Sequence, residues 1–396
     1  MTTVVSPRVP EIVSPGSATA LLDAYLPATD RFLATPHRTL LGRGVVAELP
    51  YRDGVLSARV RALLDARRRG GDPDPVVMGA IPFAPDARPA LAVPESVRWA
   101  APLREDPLIA LPVAPVDLEW TVREVPEPEV YGAVVAAAVD RMKAGEFDKV
   151  VLARTLELTA RRAPDLPAML RRLARRDPAG YTFAVPSAPG RTLIGASPEL
   201  LVSRTGATLT ANPLAGSAPR SADLAEDVRR AAALLESAKD LHEHAVVVDA
   251  VRAALAPFCR TIDVPARPTL VRTAAMWHLS TTVTGELADP GRITALDLAS
   301  ALHPTPAVCG TPTDLARRVI AESEPFDRGA YTGMVGWQNA EGDGEWVVTI
   351  RCAEAEGNLL RLFAGAGVVA ESSPEAETAE TGAKFRTFLN AVGATL

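Results

Sequence analysis

EWVVTIRCAEAEGNLLRLFAGAGVVAESSPEAETAETGAKF (345–385) changes its periodicity midway, and that change decides the fold class. Within it, EWVVTIRCAEAE (345–356) and NLLRLFAGAGVV (358–369) are runs of β-branched and other apolar residues and read as strands. Ser373 followed by Pro374 has the residue types of an N-cap and first helical position, so a helix is expected from there to about Val392. On that helix Glu377, Glu380 and Lys384 fall at i, i+3 and i+7, one face. Glu377 and Glu380 are also explained as complements to the helix dipole. Gly365 and Gly367 permit either close backbone approach to a ligand or a tight turn. Neither GxGxxG nor GK[ST] is present, so no phosphate loop is read here.

Working outward, FDKVVLARTLEL (147–158) and WHLSTTVTGEL (277–287) read as strands, and TLIGASPELLVSR (192–204) as strand, turn and strand. GDG (342–344) reads as a hairpin turn. Tyr131, Val134, Val135, Ala138, Val139 and Met142 have helical spacing, with Gly145 placed as a C-terminal cap. A long helical region covers about 222–256, its second part starting at Ser237 with Asp240 completing a capping box. Strands interleaved with helices and joined by hairpin turns predict a mixed α/β fold with largely antiparallel sheets. Residues 1–125 are rich in proline and alanine, read as short strands broken by prolines in 81–103, and carry no chemical motif. VPEPEV (125–130) reads as a joint.

Three further groups have chemical promise. In SAKDLHEHAVVV, Asp240, Glu243 and His244 share a helix face opposite Leu241, Ala245, Val248 and Leu255. Two such carboxylates suit a hard cation such as magnesium. A solvated acidic stripe is the competing reading, and zinc is disfavoured because HEH is not HExxH. Lys149, entering an apolar strand, is a candidate general base if buried, or else a strand-edge lysine. Glu199, in the apolar turn of ASPELL, is a candidate general acid if its pKa is raised, or else a solvated turn residue.

The composition is that of an ordinary globular protein: 396 residues, 47% hydrophobic, 23% charged, formal charge −6. The negative charge argues against nonspecific nucleic-acid binding, and basic clusters such as Arg67–Arg69 read as solvated helix faces. Cys259, Cys309 and Cys352 form no CxxC pair or disulfide framework, which fits a reducing cytoplasm. MTTVVSPRVP has no signal-peptide pattern, and no apolar run is long enough to span a bilayer. Of 42 basic residues only Lys143, Lys149, Lys239 and Lys384 are lysines, so a lysine beside a candidate site stands out.

Taken together, DKVVLAR (148–154), IGASPELLV (194–202), NPLAGSAPR (212–220), SAKDLHEHAVVVD (237–249), WHLSTTVTG (277–285), HPTPAVCGTP (303–312), YTGMVGW (331–337), EWVVTIRCA (345–353), RLFAGAGVV (361–369) and SSPEAETAETGAK (372–384) resemble the chorismate-utilising enzymes. That family includes anthranilate, aminodeoxychorismate, salicylate and isochorismate synthases. The motifs stand in the family's order over roughly 130–396. The resemblance implies an α/β (α+β) fold like anthranilate synthase component I: a sandwich of large antiparallel sheets with outer helices and the site in a cleft. It implies one chorismate-binding enzyme domain over 1–396, with 1–125 a variable N-terminal part and 126–396 the catalytic part. By motif position, Glu243 and Glu380 resemble magnesium ligands, with Asp240 and Glu377 in the adjoining acidic positions. The metal would hold the ring carboxylate of chorismate. His278 resembles the histidine beside the reacting ring, and Tyr331 and Arg351 resemble contacts to the enolpyruvyl carboxylate. Gly365, Gly367 and Lys384 resemble the other carboxylate contacts; Gly216 and Ser217 fall in the same substrate-binding set. Many members have threonine where this chain has Ser217, which keeps the hydroxyl.

The resemblance also separates the branches. Aminodeoxychorismate synthases of one type have a nucleophilic lysine in PIKGT, where this chain has Ala215 in PLAGS. No tryptophan-sensing motif of the anthranilate synthases is found. In the water-using branch, Lys149 resembles the base that activates water and Glu199 the acid that protonates the departing hydroxyl. Ala307, where salicylate and anthranilate synthases usually have threonine, resembles isochorismate synthases, above all those feeding 2,3-dihydroxybenzoate siderophores; menaquinone supply is the other pathway considered. Salicylate synthase and a non-catalytic chorismate-binding subunit stay open as alternatives. No organic cofactor, nucleic acid or membrane partner is expected. The resemblance allows a monomer, and no coiled-coil heptad argues for more.

Overall fold

Lys149–Ala160 is a twelve-residue strand buried along nearly its whole length, with only Glu157 and Thr159 reaching solvent. Such a strand needs cover on both faces, which only a layered interior supplies. The computed structural model describes residues 16–50, 53–113 and 118–394; MTTVVSPRVP lies outside them. Lys149–Ala160 pairs with Leu359–Val368 in an unbroken ladder from Leu359↔Thr159 to Val368↔Val150. Gly365 and Gly367 thereby face Ala153 and Val151.

These strands belong to a ten-stranded sheet. It continues through Cys352–Glu356, Arg191–Ser197, Tyr181–Ala188, Arg31–Ala34 and Thr39–Arg43 to Ser96–Ala100. A nine-stranded sheet runs from Cys259–Asp263 through Val283–Leu287, Thr208–Asn212, Leu200–Thr205, Gly344–Val348, Met334–Asn339, Val76–Ile81 and Ala90–Val93 to Ala47–Glu48. Leu214–Pro219, Met276–Ser280 and Thr269–Arg272 form a small third sheet. The pairings are antiparallel throughout, as expected. Proline-rich residues before 125 are therefore part of both large sheets.

The large sheets face each other across Leu33, Phe183 and Leu193 from one and Met78, Val335 and Val347 from the other. Helices Ser17–Asp23, Leu166–Arg176 and Pro374–Val392 cover the outer side of the ten-stranded sheet. Leu56–Arg69, Ala238–Leu255 and Ala295–Leu302 cover the nine-stranded one. Among the described residues no helix is long and apolar enough to cross a membrane.

Two strands expected to be continuous are divided. EWVVTIRCAEAE becomes Gly344–Val348 in the nine-stranded sheet and Cys352–Glu356 in the ten-stranded one. The chain crosses between layers at 349–351, where Arg351 adopts the left-handed φ of 50°. WHLSTTVTGEL likewise becomes Met276–Ser280 and Val283–Leu287, which lie in different sheets. Thr349 and Thr281 favour strands locally, so tertiary placement overrides propensity at both breaks. The expected turn at Pro198 and Glu199 is a third crossing, from Arg191–Ser197 to Leu200–Thr205. The final helix runs Pro374–Val392 as read, with Ser373 accepting from the Ala376 amide.

Phe183 is completely buried between the sheets. Phe183→Ala should lower unfolding stability by about 3–5 kcal/mol, the lost transfer energy plus the cavity. Urea denaturation measures it, and a change within error would contradict the packing.

Candidate active site

The crossings between sheets deliver charged side chains to the interior. Glu199 lies between the strands Arg191–Ser197 and Leu200–Thr205 and is 3% exposed. Arg351, at the neighbouring crossing, is 9% exposed, and its Nη2 lies 3.4 Å from His278 Nε2. The left-handed backbone of Arg351 costs on the order of 1–3 kcal/mol, so the surrounding structure must hold it there. In the small sheet Ser217 pairs with His278. Gly216 beside it has φ +77°, and a Cβ there would lie 3.1 Å from Asp240 Cβ and Leu279 Cδ1.

The two acidic helices meet at this place. Ser237 accepts from the Asp240 amide to start Ala238–Leu255. Glu243 Oε1 accepts from buried Lys149 Nζ at 2.7 Å. From the last helix, Glu380 Oε1 lies 2.6 Å from Lys384 Nζ, which also donates to the Gly365 carbonyl at 2.8 Å. Glu377 lies 3.8 Å from Lys239. The glycine expectations become concrete. A Cβ on Gly367 would come within 2.8 Å of Glu243 Oε1 and 3.2 Å of Lys149 Cε. A Cβ on Gly365 would meet the Tyr331 hydroxyl at 2.8 Å.

All the sequence-predicted site residues except Lys149 and His244 line one cavity: Glu199, Gly216, Ser217, Asp240, Glu243, His278, Ala307, Tyr331, Arg351, Gly365, Gly367, Glu377, Glu380 and Lys384. Lys149 is one contact behind the wall, held by Glu243. His244 departs from the expectation that it shares the acidic face. It is buried, with Nδ1 3.1 Å from the Ala215 carbonyl and Nε2 2.7 Å from Thr281 Oγ1. The helix buries Val247 and Val251 with Val248 and Leu255, while Ala245 is exposed. Lys239, Thr332 and Phe363 also line the cavity and were not singled out. The scarcity of lysine was the available signal for Lys239. Phe363 stacks on Tyr331 with ring centroids 4.9 Å apart.

Burial sets the proton affinities. Burial pushes the Glu199 carboxyl up to about 7, although the Leu214 amide and the charges of Arg351, Lys149 and Lys384 oppose it. His278 is driven well below its usual value by burial and then by Arg351 and Lys384, so it is neutral. Burial raises Asp240 and Glu377, and the neighbouring carboxylates raise them further. Burial also acts on Glu380, but Lys384, Arg351 and Lys239 outweigh it and hold that carboxyl low.

Four carboxylates on one cavity wall, with oxygen donors and mutual repulsion, fit a hard divalent cation in donor chemistry. Asp240, Glu243, Glu377 and Glu380 are the residues that would hold it. Among the described residues no three acidic, histidine or cysteine donors are gathered closely enough to hold an ion already. Lys149 and Lys384 engage Glu243 and Glu380 instead.

Residues 110–393 match the family described as chorismate binding enzyme. The chain is 53% identical over 393 residues to isochorismate synthase DhbC of Bacillus subtilis (strain 168), covering 96% of this chain and 98% of that one. It superimposes with TM-score 0.89 and 48% identity on the crystal structure of a putative 2,3-dihydroxybenzoate-specific isochorismate synthase, DhbC, from Bacillus anthracis, covering 96% of this chain and 100% of that one. Anthranilate synthase component I from Streptococcus pneumoniae TIGR4 shares the fold, with TM-score 0.72 at 22% identity over 92% of this chain and 93% of that one. The order of motifs, the two-sheet sandwich and these matches agree: the chain belongs to the chorismate-binding enzyme family.

Proposed function

We propose that this protein is an isochorismate synthase, converting chorismate to isochorismate by adding a water oxygen at ring carbon 2 and releasing the hydroxyl of carbon 4. The observation that carries the reading is Glu199, a buried carboxyl with a pKa near 7 on the same cavity as Arg351, Lys384 and four further carboxylates. An acid of that affinity is protonated for much of the time at neutral pH, as donation to a leaving hydroxyl requires. The high identity to named isochorismate synthases supports the same reading.

Each residue then has a task. Arg351 offers a planar double donor to a substrate carboxylate. Tyr331, whose proton is held by burial, donates beside it. Neutral His278 flanks the ring without adding charge. Glu199 gives its proton to the oxygen leaving carbon 4 while the C4–O bond breaks and the ring double bonds shift. Lys149 takes the proton from the water whose oxygen bonds to carbon 2. As a base Lys149 must first give up a proton, since the ammonium that donates to Glu243 has no lone pair. Water enters and water leaves, so the sum is an isomerisation. Asp240, Glu243, Glu377 and Glu380 would hold magnesium, which would supply positive charge for the ring carboxylate. The small Ala307 in the wall favours release of isochorismate over pyruvate elimination, the salicylate synthase outcome. The siderophore setting follows the 2,3-dihydroxybenzoate-specific relative.

Product chromatography tests this. Purified protein with chorismate and magnesium should accumulate isochorismate without ammonia, EDTA should abolish it, and Glu243→Gln should shift the magnesium titration upward. Salicylate with pyruvate would select the alternative chemistry. No turnover would leave a binding subunit.

Glu199→Gln should cut kcat by about 10²-fold or more. In the forward direction the wild-type rate should fall as pH rises above about 7, where Glu199 ionises. Stability should also fall with rising pH, over the range below about 7. With its folded pKa raised, Glu199 keeps in the folded state a proton that the unfolded chain has already lost above its ordinary carboxyl range. Folding therefore weakens as pH rises towards 7, by up to about 3 kcal/mol. Glu199→Gln should thus have a higher Tm than wild type at pH 8 and little difference at pH 4. An equal or lower Tm at pH 8 would show that the carboxyl is not held this way.

A further inference from the structure

A buried guanidinium stands directly behind the cavity wall. Arg328 is 3% exposed, and all five of its N–H groups have acceptors. Nε donates to Glu324 Oε2 at 2.8 Å, and one Nη2 hydrogen goes to Glu324 Oε1 at 2.5 Å. The other Nη2 hydrogen goes to the Val151 carbonyl at 2.7 Å. Nη1 donates to the Val308 carbonyl at 3.0 Å and to Thr332 Oγ1 at 3.1 Å. Glu324 Oε1 in turn accepts from the Ala153 amide at 2.8 Å.

Val151, Val308 and Thr332 all line the cavity, and each belongs to a different wall. Val151 is on the strand that begins with Lys149, Val308 follows Ala307, and Thr332 follows Tyr331. Thr332 has the left-handed φ of 56°, unusual for a β-branched residue, and Arg328 bonds its hydroxyl. The guanidinium also lies 4.7 Å from the Phe83 ring centroid and 5.6 Å from that of Tyr331.

We infer that Arg328, braced by Glu324, is the positioning residue that fixes the Lys149 strand, the Ala307 loop and the Tyr331 turn relative to one another. The inference rests on the isochorismate synthase reading for the roles of those walls. Neither residue touches substrate; they act through three backbone segments. Lysine cannot replace Arg328, because three hydrogens on one nitrogen cannot reach acceptors arranged around a planar fork.

The test compares wild type, Arg328→Lys and Glu324→Gln with Val319→Ala, a core change on the adjoining helix Thr313–Ser323 in a hydrophobic cluster that contains no site residue. Initial rates over a chorismate series are taken well below each variant's Tm. Arg328→Lys should lower kcat by about tenfold or more, exceeding its effect on KM, because misplacing reacting groups by a fraction of an ångström is felt chiefly in the chemical step. Glu324→Gln should fall between it and wild type. Val319→Ala should lose Tm while keeping kcat within about twofold, since surrounding packing tolerates it. Arg328→Lys with kcat no lower than that of Val319→Ala would overturn the positioning role. The wild-type product separately reads the proposed activity: another product from chorismate would overturn that reading, while the ratio of variant to wild-type kcat would still decide the inference.

Discussion

Glu199 and Arg351 sit inside a largely apolar sandwich, and water solvates neither freely. Burying a charge is costly unless the group is neutralised or paired. The two residues answer that constraint differently. Glu199 takes up a proton, with its pKa near 7, whereas Arg351 keeps its charge against burial, which Glu380 offsets in part. Both are placed by the same device, a strand that leaves one sheet and enters the other. The site thus exists because the sheets exchange strands at 198–199 and 349–351.

The lysine–carboxylate contacts extend this logic. Lys149 on the ten-stranded sheet balances Glu243 across a seam with Ala238–Leu255, while Lys384 and Glu380 pair along one helix, Pro374–Val392. Gly365 and Gly367 keep that seam narrow, since a side chain on either would strike the polar groups opposite. The same contacts couple the functions: freeing Glu243 for another partner also frees Lys149. Lys149 and the carboxylate wall therefore form one unit.

Much of this was legible in the residues. The motif register brought Glu199, His278, Arg351 and the four carboxylates onto one cavity, and Ser373–Pro374 marked the start of the last helix. Spacing could not reveal the strand breaks at 281–282 and 349–351, because threonine and isoleucine there favour strands and only the crossing ends them. Helical periodicity placed His244 with the acids, but its ring is held by the Ala215 carbonyl and Thr281, contacts from distant segments. The Arg328–Glu324 brace was invisible for the same reason. Its i,i+4 spacing falls just beyond Thr313–Ser323, outside any amphipathic run, and its acceptors are main-chain atoms far away in sequence.

The proposed mechanism requires water as the nucleophile and Glu199 as the acid. Mass spectrometry of isochorismate formed at early times in oxygen-18 water tests that directly. Each new isochorismate should carry one oxygen-18, located at carbon 2. Unlabelled isochorismate would mean that the hydroxyl moves within the substrate, and would contradict the roles assigned to Lys149 and Glu199.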